Sequence, residues 1–199
     1  MITNHNSVIS LKKGEIIQSY GEYTILQGYI LCLTGKHLIR IIKEGGSFIV
    51  TEENFIGKLV HYQAQDNVRI ACHPNVSPTY FLQKQGEAQQ EMMQAFVHQL
   101  DIYALPVKNR VMVFWFRMAC EIGVYKEGDC YVPAVLTQVE MAKYSHCTRV
   151  YLNGVCQALI KDGWLIRGKE WTLIDWKRWE TYASGLFYTN TKSRLIISE

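Results

Sequence analysis

The stretch that decides the fold is LTQVEMAKYSHCTRVYLNGVCQALIKDGWLI, residues 136–166. Thr137 is followed three residues later by Glu140, which is the spacing of a capping box at the start of a helix. Apolar residues then recur at helical spacing as far as Tyr144. The stretch therefore begins with a short helix that we expect to end near Tyr144, followed by a turn.

A second helix is predicted over 149–162. Thr148 is a good N-cap residue, and Gly163 is a typical helix terminator. One side of this helix is apolar, and the other side carries Arg149, Asn153 and Gln157. Arg can hydrogen-bond guanine in the DNA major groove, and Asn and Gln can hydrogen-bond adenine. A helix with these side chains in its first turns meets the requirement for base recognition.

A β-hairpin is predicted directly after Gly163. Two apolar runs, WLI over 164–166 and WTLI over 171–174, flank the basic turn RGKE. Alternating short runs around a Gly-containing turn are typical of a hairpin. We expect Lys169 at its tip to contact phosphate groups.

Residues 132–175 resemble the winged helix-turn-helix of the catabolite activator protein/FNR (CRP/FNR) family of bacterial transcription regulators. The matching residues are Leu136, Thr137, Gln138, Ala142, Arg149, Leu159, Gly163 and Ile166. The resemblance implies double-stranded DNA as a partner, with RNA polymerase as a further candidate partner. The candidate DNA contacts are Thr137, Gln138, Thr148, Arg149, Tyr151, Asn153, Gln157 and Lys169. For Tyr151, a phosphate contact and packing against the first helix both remain open.

The sequence departs from the family at two kinds of site. Members often carry Glu and Arg where this chain has Val150 and Gly154, so the preferred DNA sequence should differ. The family's cyclic-nucleotide pocket uses a Gly-Glu pair and then Arg-Ser/Thr. Here Gly46 is followed by no Glu until Glu52 and no Arg until Arg69. We therefore expect no cyclic-nucleotide binding, and the effector is either unknown or absent.

The N-terminal part, over 8–82, is rich in short β-prone runs separated by glycines. Many short strands at close spacing predict a small roll or barrel, and the family resemblance extends weakly to its sensor roll. Within it, Tyr23–Leu33 and His37–Ile42 are predicted to pair as a hairpin that turns at 34–36. We assign 1–83 to this roll.

Two helices are predicted between the roll and the helix-turn-helix. Over 84–105 a narrow apolar seam either docks on the roll or pairs with a second copy of the chain, and we favour a homodimer. The seam consists of Met93, Phe96, Leu100 and Tyr103. The next helix is predicted over 107–122, with a broad apolar face that indicates core packing. Residues 106–199 form the predicted DNA-binding unit.

Composition restricts the remaining function classes. Residues 106–199 hold 13 Lys/Arg against 9 Asp/Glu, whereas 1–105 hold 8 against 9, and a basic C-terminal half suits a phosphate partner. No Cys-x-x-Cys pair, phosphate loop or catalytic triad spacing is visible, so we predict no enzyme, cofactor or metal site. A thiol sensor at Cys32 or Cys72 is an open alternative. We expect a cytoplasmic protein because the sequence has no signal-peptide layout and no membrane-length apolar run.

Together these features predict an α+β fold: a β-roll, a long dimerisation helix and a C-terminal winged helix-turn-helix. The predicted function is DNA-binding transcription regulation by a homodimer on a palindromic operator. The alternative is a winged-helix module that binds protein and has lost specific DNA binding.

Overall fold

The computed structural model describes residues 7–51, 60–73 and 77–187. Glu52, used above in judging the nucleotide pocket, and the segment 188–199 at the end of the predicted C-terminal unit lie outside these residues. Within these described ranges, seven strands come first: β1 Ser7–Leu11, β2 Gly21–Gln27, β3 Ile30–Thr34, β4 His37–Ile42, β5 Ser47–Val50, β6 His61–Ala64 and β7 Val68–His73. Two long helices follow: α1 Pro78–Ala104 and α2 Val107–Ile122. The C-terminal elements are β8 Val124–Lys126, β9 Asp129–Val132, α3 Gln138–Tyr144, α4 Arg149–Lys161, β10 Leu165–Arg167, β11 Trp171–Leu173 and α5 Trp176–Phe187.

The N-terminal strands form two antiparallel sheets, ordered β1-β7-β2-β5 and β4-β3-β6. They enclose an apolar core in which Phe48 stacks between Tyr23 and Tyr62. Strand β3 is buried on both faces: Ile30 and Cys32 lie in the roll core, while Leu31 and Leu33 join the core of the C-terminal helices. Because successive side chains of a strand point to opposite faces, one strand connects the two cores.

The predicted hairpin is confirmed only in its second half. Thr34 pairs with His37 across the turn between β3 and β4, but the segment Tyr23–Leu33 is not one strand. It breaks at Gly28, where φ is +91° and a Cβ would lie 2.8 Å from the Asp66 carboxylate. Only glycine fits that backbone position, and β2 consequently joins the other sheet.

Helix α1 has 27 residues and begins at Pro78, earlier than predicted. The predicted seam of Met93, Phe96, Leu100 and Tyr103 is only partly exposed. Phe96 packs against the roll core, and the Tyr103 hydroxyl lies 2.5 Å from Nδ1 of His37. In the second half of α1, the large apolar side chains that are more than half exposed are Met93, Val97 and Leu100. We call these three residues the outer face of α1.

Helix α2 has the predicted bounds and supplies the centre of the C-terminal core, with Trp115 and Ala119 fully buried. It is also tied to the roll by polar contacts. The Glu121 carboxylate accepts a hydrogen bond of 2.7 Å from the Ile41 amide. Arg117 donates to the carbonyl of Ile39 and, at 2.9 Å, to the side chain of Gln99 on α1.

Two short helices, α3 and α4, follow and pack against each other. The four C-terminal strands form a sheet ordered β10-β11-β9-β8, in which β10 and β11 make a hairpin. Among the described residues, no helix is long and apolar enough to cross a membrane.

Candidate nucleic-acid interface

Helix α3 is held by its cap and by the face that it buries. The Thr137 hydroxyl accepts a hydrogen bond of 3.2 Å from the Glu140 amide, and the Glu140 carboxylate accepts one of 2.7 Å from the Thr137 amide. This completes the predicted capping box. A helix of seven residues is marginal by itself, so the cap, which contributes about 1 kcal/mol, and the burial of Met141 and Ala142 hold it in place.

A four-residue turn, 145–148, joins α3 to α4. His146 in this turn has φ +51°, and the Thr148 hydroxyl caps α4 by accepting a hydrogen bond of 3.2 Å from the Tyr151 amide. Both Thr137 and Thr148 are therefore engaged as caps, although each remains exposed. Gly163 follows α4 with φ +68°, the left-handed conformation typical of a helix stop.

Helix α4 divides into a buried and an exposed face, as its sequence predicts. The buried residues are Leu152, Val155, Cys156 and Leu159. The exposed side chains include Arg149, Asn153 and Gln157. Of the other candidate contacts, Tyr151 is 46% exposed and Gln138 is half-buried.

The exposed face of α4 is electropositive. The sequence from 143 to 161 contains no Asp or Glu, and it includes the exposed side chains of Lys143, Arg149 and Lys161. The N-terminal end of a helix adds the partial positive charge of its free amides. This surface is suited to an anionic partner.

Strand β10 packs against α4, and the β10–β11 hairpin carries further basic residues. Arg167 at the end of β10 and the turn residues 168–170 are exposed, and the Gly168 amide donates a hydrogen bond of 3.0 Å to the Glu170 carbonyl. The Arg167 guanidinium lies over the ring of Trp171, 5.5 Å from its centroid. Lys169 remains exposed at the tip, the position expected of a phosphate contact.

The roll contains a separate candidate site, a cavity of about 180 Å³ between its strands and α1. Its basic lining residues are Arg40 and Lys84, and both are ion-paired: Arg40 with Glu91 at 3.3 Å and Lys84 with Glu87 at 2.8 Å. A cyclic phosphate would meet no unpaired cation among the described lining residues.

The structure also shows the surroundings of Cys32 and Cys72, the two candidate thiol sensors. Cys32 lines this cavity, and burial raises its pKa to about 12, so it is a thiol at neutral pH. Cys72 is half-buried on β7 near Tyr23. The thiolate is the reactive form of cysteine, so Cys32 does not have the environment of a sensor.

One polar cluster was not anticipated from the sequence. His37 of β4, Tyr103 of α1 and His146 of the α3–α4 turn meet at the junction of the roll with the C-terminal unit. The two histidines are 109 residues apart in the chain. No local pattern links residues at that separation, so only the fold reveals the contact.

Comparison with solved structures places this arrangement in a known fold. TTHA1359, a CRP/FNR-family transcriptional regulator from Thermus thermophilus, is 20% identical over 89% of this chain and 98% of its own, with a TM-score of 0.66. FixK2 from Bradyrhizobium japonicum is 14% identical over 89% and 97%, with a TM-score of 0.66. A variant of CooA from Carboxydothermus hydrogenoformans is 14% identical over 90% and 88%, with a TM-score of 0.64.

No protein-family model matches the sequence, and no curated protein matches it significantly. The comparison therefore rests on the solved structures. At 20% identity or less, they establish the fold of this chain. The resemblance predicted from residues 132–175 is confirmed at that level: the chain has the fold of the CRP/FNR transcription regulators.

Proposed function

We propose that this protein is a transcription regulator that binds a palindromic DNA operator as a homodimer. In this proposal residues 132–175 are a winged helix-turn-helix, α4 is its recognition helix and the β10–β11 hairpin is its wing. The observation that carries the proposal is the division of α4 into two faces. Its apolar side is buried, while Arg149, Asn153 and Gln157 project from a helix that contains no acidic residue.

Geometry and charge support the assignment together. Arg, Asn and Gln are the side chains that most often form paired hydrogen bonds with base edges. Arg149 lies in the first turn of α4, where a recognition helix comes nearest to the bases. Lys169 on the hairpin is exposed, which supports a contact to the DNA backbone.

The outer face of α1 supports the homodimer. Met93, Val97 and Leu100 recur at spacings of four and three residues, the seam of a two-stranded coiled coil. Two copies of the chain would bury these side chains against each other. The dimer would then present one α4 helix to each of the two half-sites of the operator. RNA polymerase as a partner remains a prediction of the family resemblance.

The test is selection of bound duplexes from a random-sequence library by the full-length protein. We expect a symmetric consensus whose half-sites are about one helical turn, 10 base pairs, apart. If the selection enriches no sequence over the starting library, the proposal is contradicted. That result would favour the alternative of a protein-interaction module, which the exposed apolar side chain of Val150 keeps open.

A further inference from the structure

Val150 has an exposure that the packing of this chain does not explain. Its side chain is 84% exposed, the largest value among the large hydrophobic side chains in the described part of the chain. A β-branched residue also has a lower helix propensity than Ala. Single exposed aliphatic residues are common on protein surfaces, but Val150 has a neighbour on α4 that packing also leaves unexplained.

This neighbour is Gly154, one helical turn further along the same side of α4. A Cβ added there would meet no atom within 4 Å, so the packing of the chain does not require glycine. Glycine inside a helix also disfavours the helix relative to alanine. What glycine provides at this position is space on the outside, where another molecule can approach the backbone closely.

Val150 and Gly154, which we call the Val150–Gly154 face, lie within an electropositive surface. Arg149 and Asn153 immediately precede them, and the sequence has no Asp or Glu over 143–161. The partner that fits is therefore an anion that presents an apolar group to Val150. In the major groove of DNA, that group is the C5-methyl of thymine.

We propose that the Val150–Gly154 face selects thymine in each half-site. The proposal rests on the proposed function, in which α4 enters the major groove. The methyl groups of Val150 pack against the thymine methyl, and Gly154 leaves room for the helix to approach the base pair. At Val150 the selection acts through an apolar contact, whereas Arg149 and Asn153 act through hydrogen bonds.

The test compares thymine with uracil, which lacks only the methyl group. The preferred duplex is first selected with thymine and then synthesised with deoxyuridine at one thymine position per half-site in turn. We expect one position at which the change weakens wild-type binding by about fourfold per half-site, the effect of one buried methyl group. Val150→Ser should remove this discrimination. Val124→Ser, the same change at an exposed valine on β8 at the opposite edge of the C-terminal sheet, should preserve it.

Gly154→Ala provides a second, independent test. It should raise the melting temperature, because alanine favours the helix and the position is open, and yet it should weaken DNA binding. Gly185→Ala is the matched control: Gly185 lies inside α5 and is equally open, so this change should raise the melting temperature and leave DNA binding unchanged.

The outcomes separate the inference from the proposed function. Sequence-specific binding that is equally strong with uracil at every position would overturn the inference and leave the proposed function intact. Gly154→Ala with unchanged DNA affinity would also overturn the inference. Failure to select any preferred duplex would overturn both, and a protein partner lost in Val150→Ser would then identify a protein-binding face.

Discussion

His37 and His146 share a hydrogen bond across the junction of the roll and the C-terminal unit, with Nδ1 of His37 3.1 Å from Nε2 of His146. Such a contact between two imidazoles needs one nitrogen to donate and the other to accept. It therefore requires at least one neutral ring. Tyr103 contacts both histidines, so this cluster joins β4, α1 and the turn before α4.

Acidification should destabilise the protein through this contact. Burial, followed by repulsion from His37 and Arg110, lowers the pKa of His146 below its usual value of 6.5. The folded state then binds fewer protons than the unfolded state just below pH 6.5, so stability falls as the pH drops from there through the folded pKa. Melting temperatures measured from about pH 7.5 to about pH 5 should show this decrease.

His146→Asn should reduce that pH dependence. Asn tolerates the left-handed backbone of position 146 and does not titrate. Burial also lowers the pKa values of His61 and His98, so part of the dependence should remain. A slope identical to that of the wild type would show that the His37–His146 contact does not contribute.

Leu100→Asp should convert the proposed homodimer into monomers. The substitution would bury a carboxylate at the outer face of α1, at a cost of several kcal/mol. Light scattering at micromolar concentration measures the change. Gln94→Asp, on an exposed position of the same helix outside that face, is the control that should remain dimeric. A monomeric wild type under these conditions would refute the dimer.

Arg149 and Lys169 should contribute to DNA binding in different ways. Arg149→Ala should cost about 1–3 kcal/mol on the preferred site and flatten the sequence preference. Lys169→Ala should weaken preferred and random duplexes equally and lower the salt slope by about one unit for each subunit. Binding over a salt series measures both effects. Lys126→Ala on β8 removes one positive charge at the far edge of the sheet and should change neither. If Arg149→Ala leaves the ratio of specific to random binding unchanged, α4 is not the recognition helix.

Cyclic AMP should leave the melting temperature unchanged. In the cavity of the roll, Glu91 and Glu87 already pair with the two basic lining residues. A ligand that binds only the folded state raises the melting temperature by mass action. Thermal unfolding with millimolar cyclic AMP is the measurement, and a saturable upward shift would mean that the ion pairs open for the nucleotide.

Local signals in the sequence account for the parts of the fold that were predicted correctly. Helix α2 ends where predicted because Pro106 and Gly123 flank it. Helix α4 was predicted to within one residue because Thr148 caps it and Gly163 ends it. These are interactions between near neighbours, which a sequence displays directly.

Contacts between distant parts of the chain account for what was missed. Phe96 and Tyr103 have the spacing of the seam, but both contact the roll. Phe96 packs against the roll core, and the Tyr103 hydroxyl contacts His37. The break at Gly28 likewise depends on Asp66, which lies 38 residues later. At the candidate interface, the sequence predicted which residue types α4 exposes, whereas the open space at Gly154 became visible only in three dimensions.

Helix α1 runs without interruption for 27 residues, about 40 Å. Its residues between 84 and 95 line the cavity beside Arg40, and its last turn holds Tyr103 against His146, two residues before the cap of α4. One continuous helix therefore contacts both the cavity of the roll and the turn that precedes α4. Anything that repositions α1 at the cavity would also act on the contact between Tyr103 and His146.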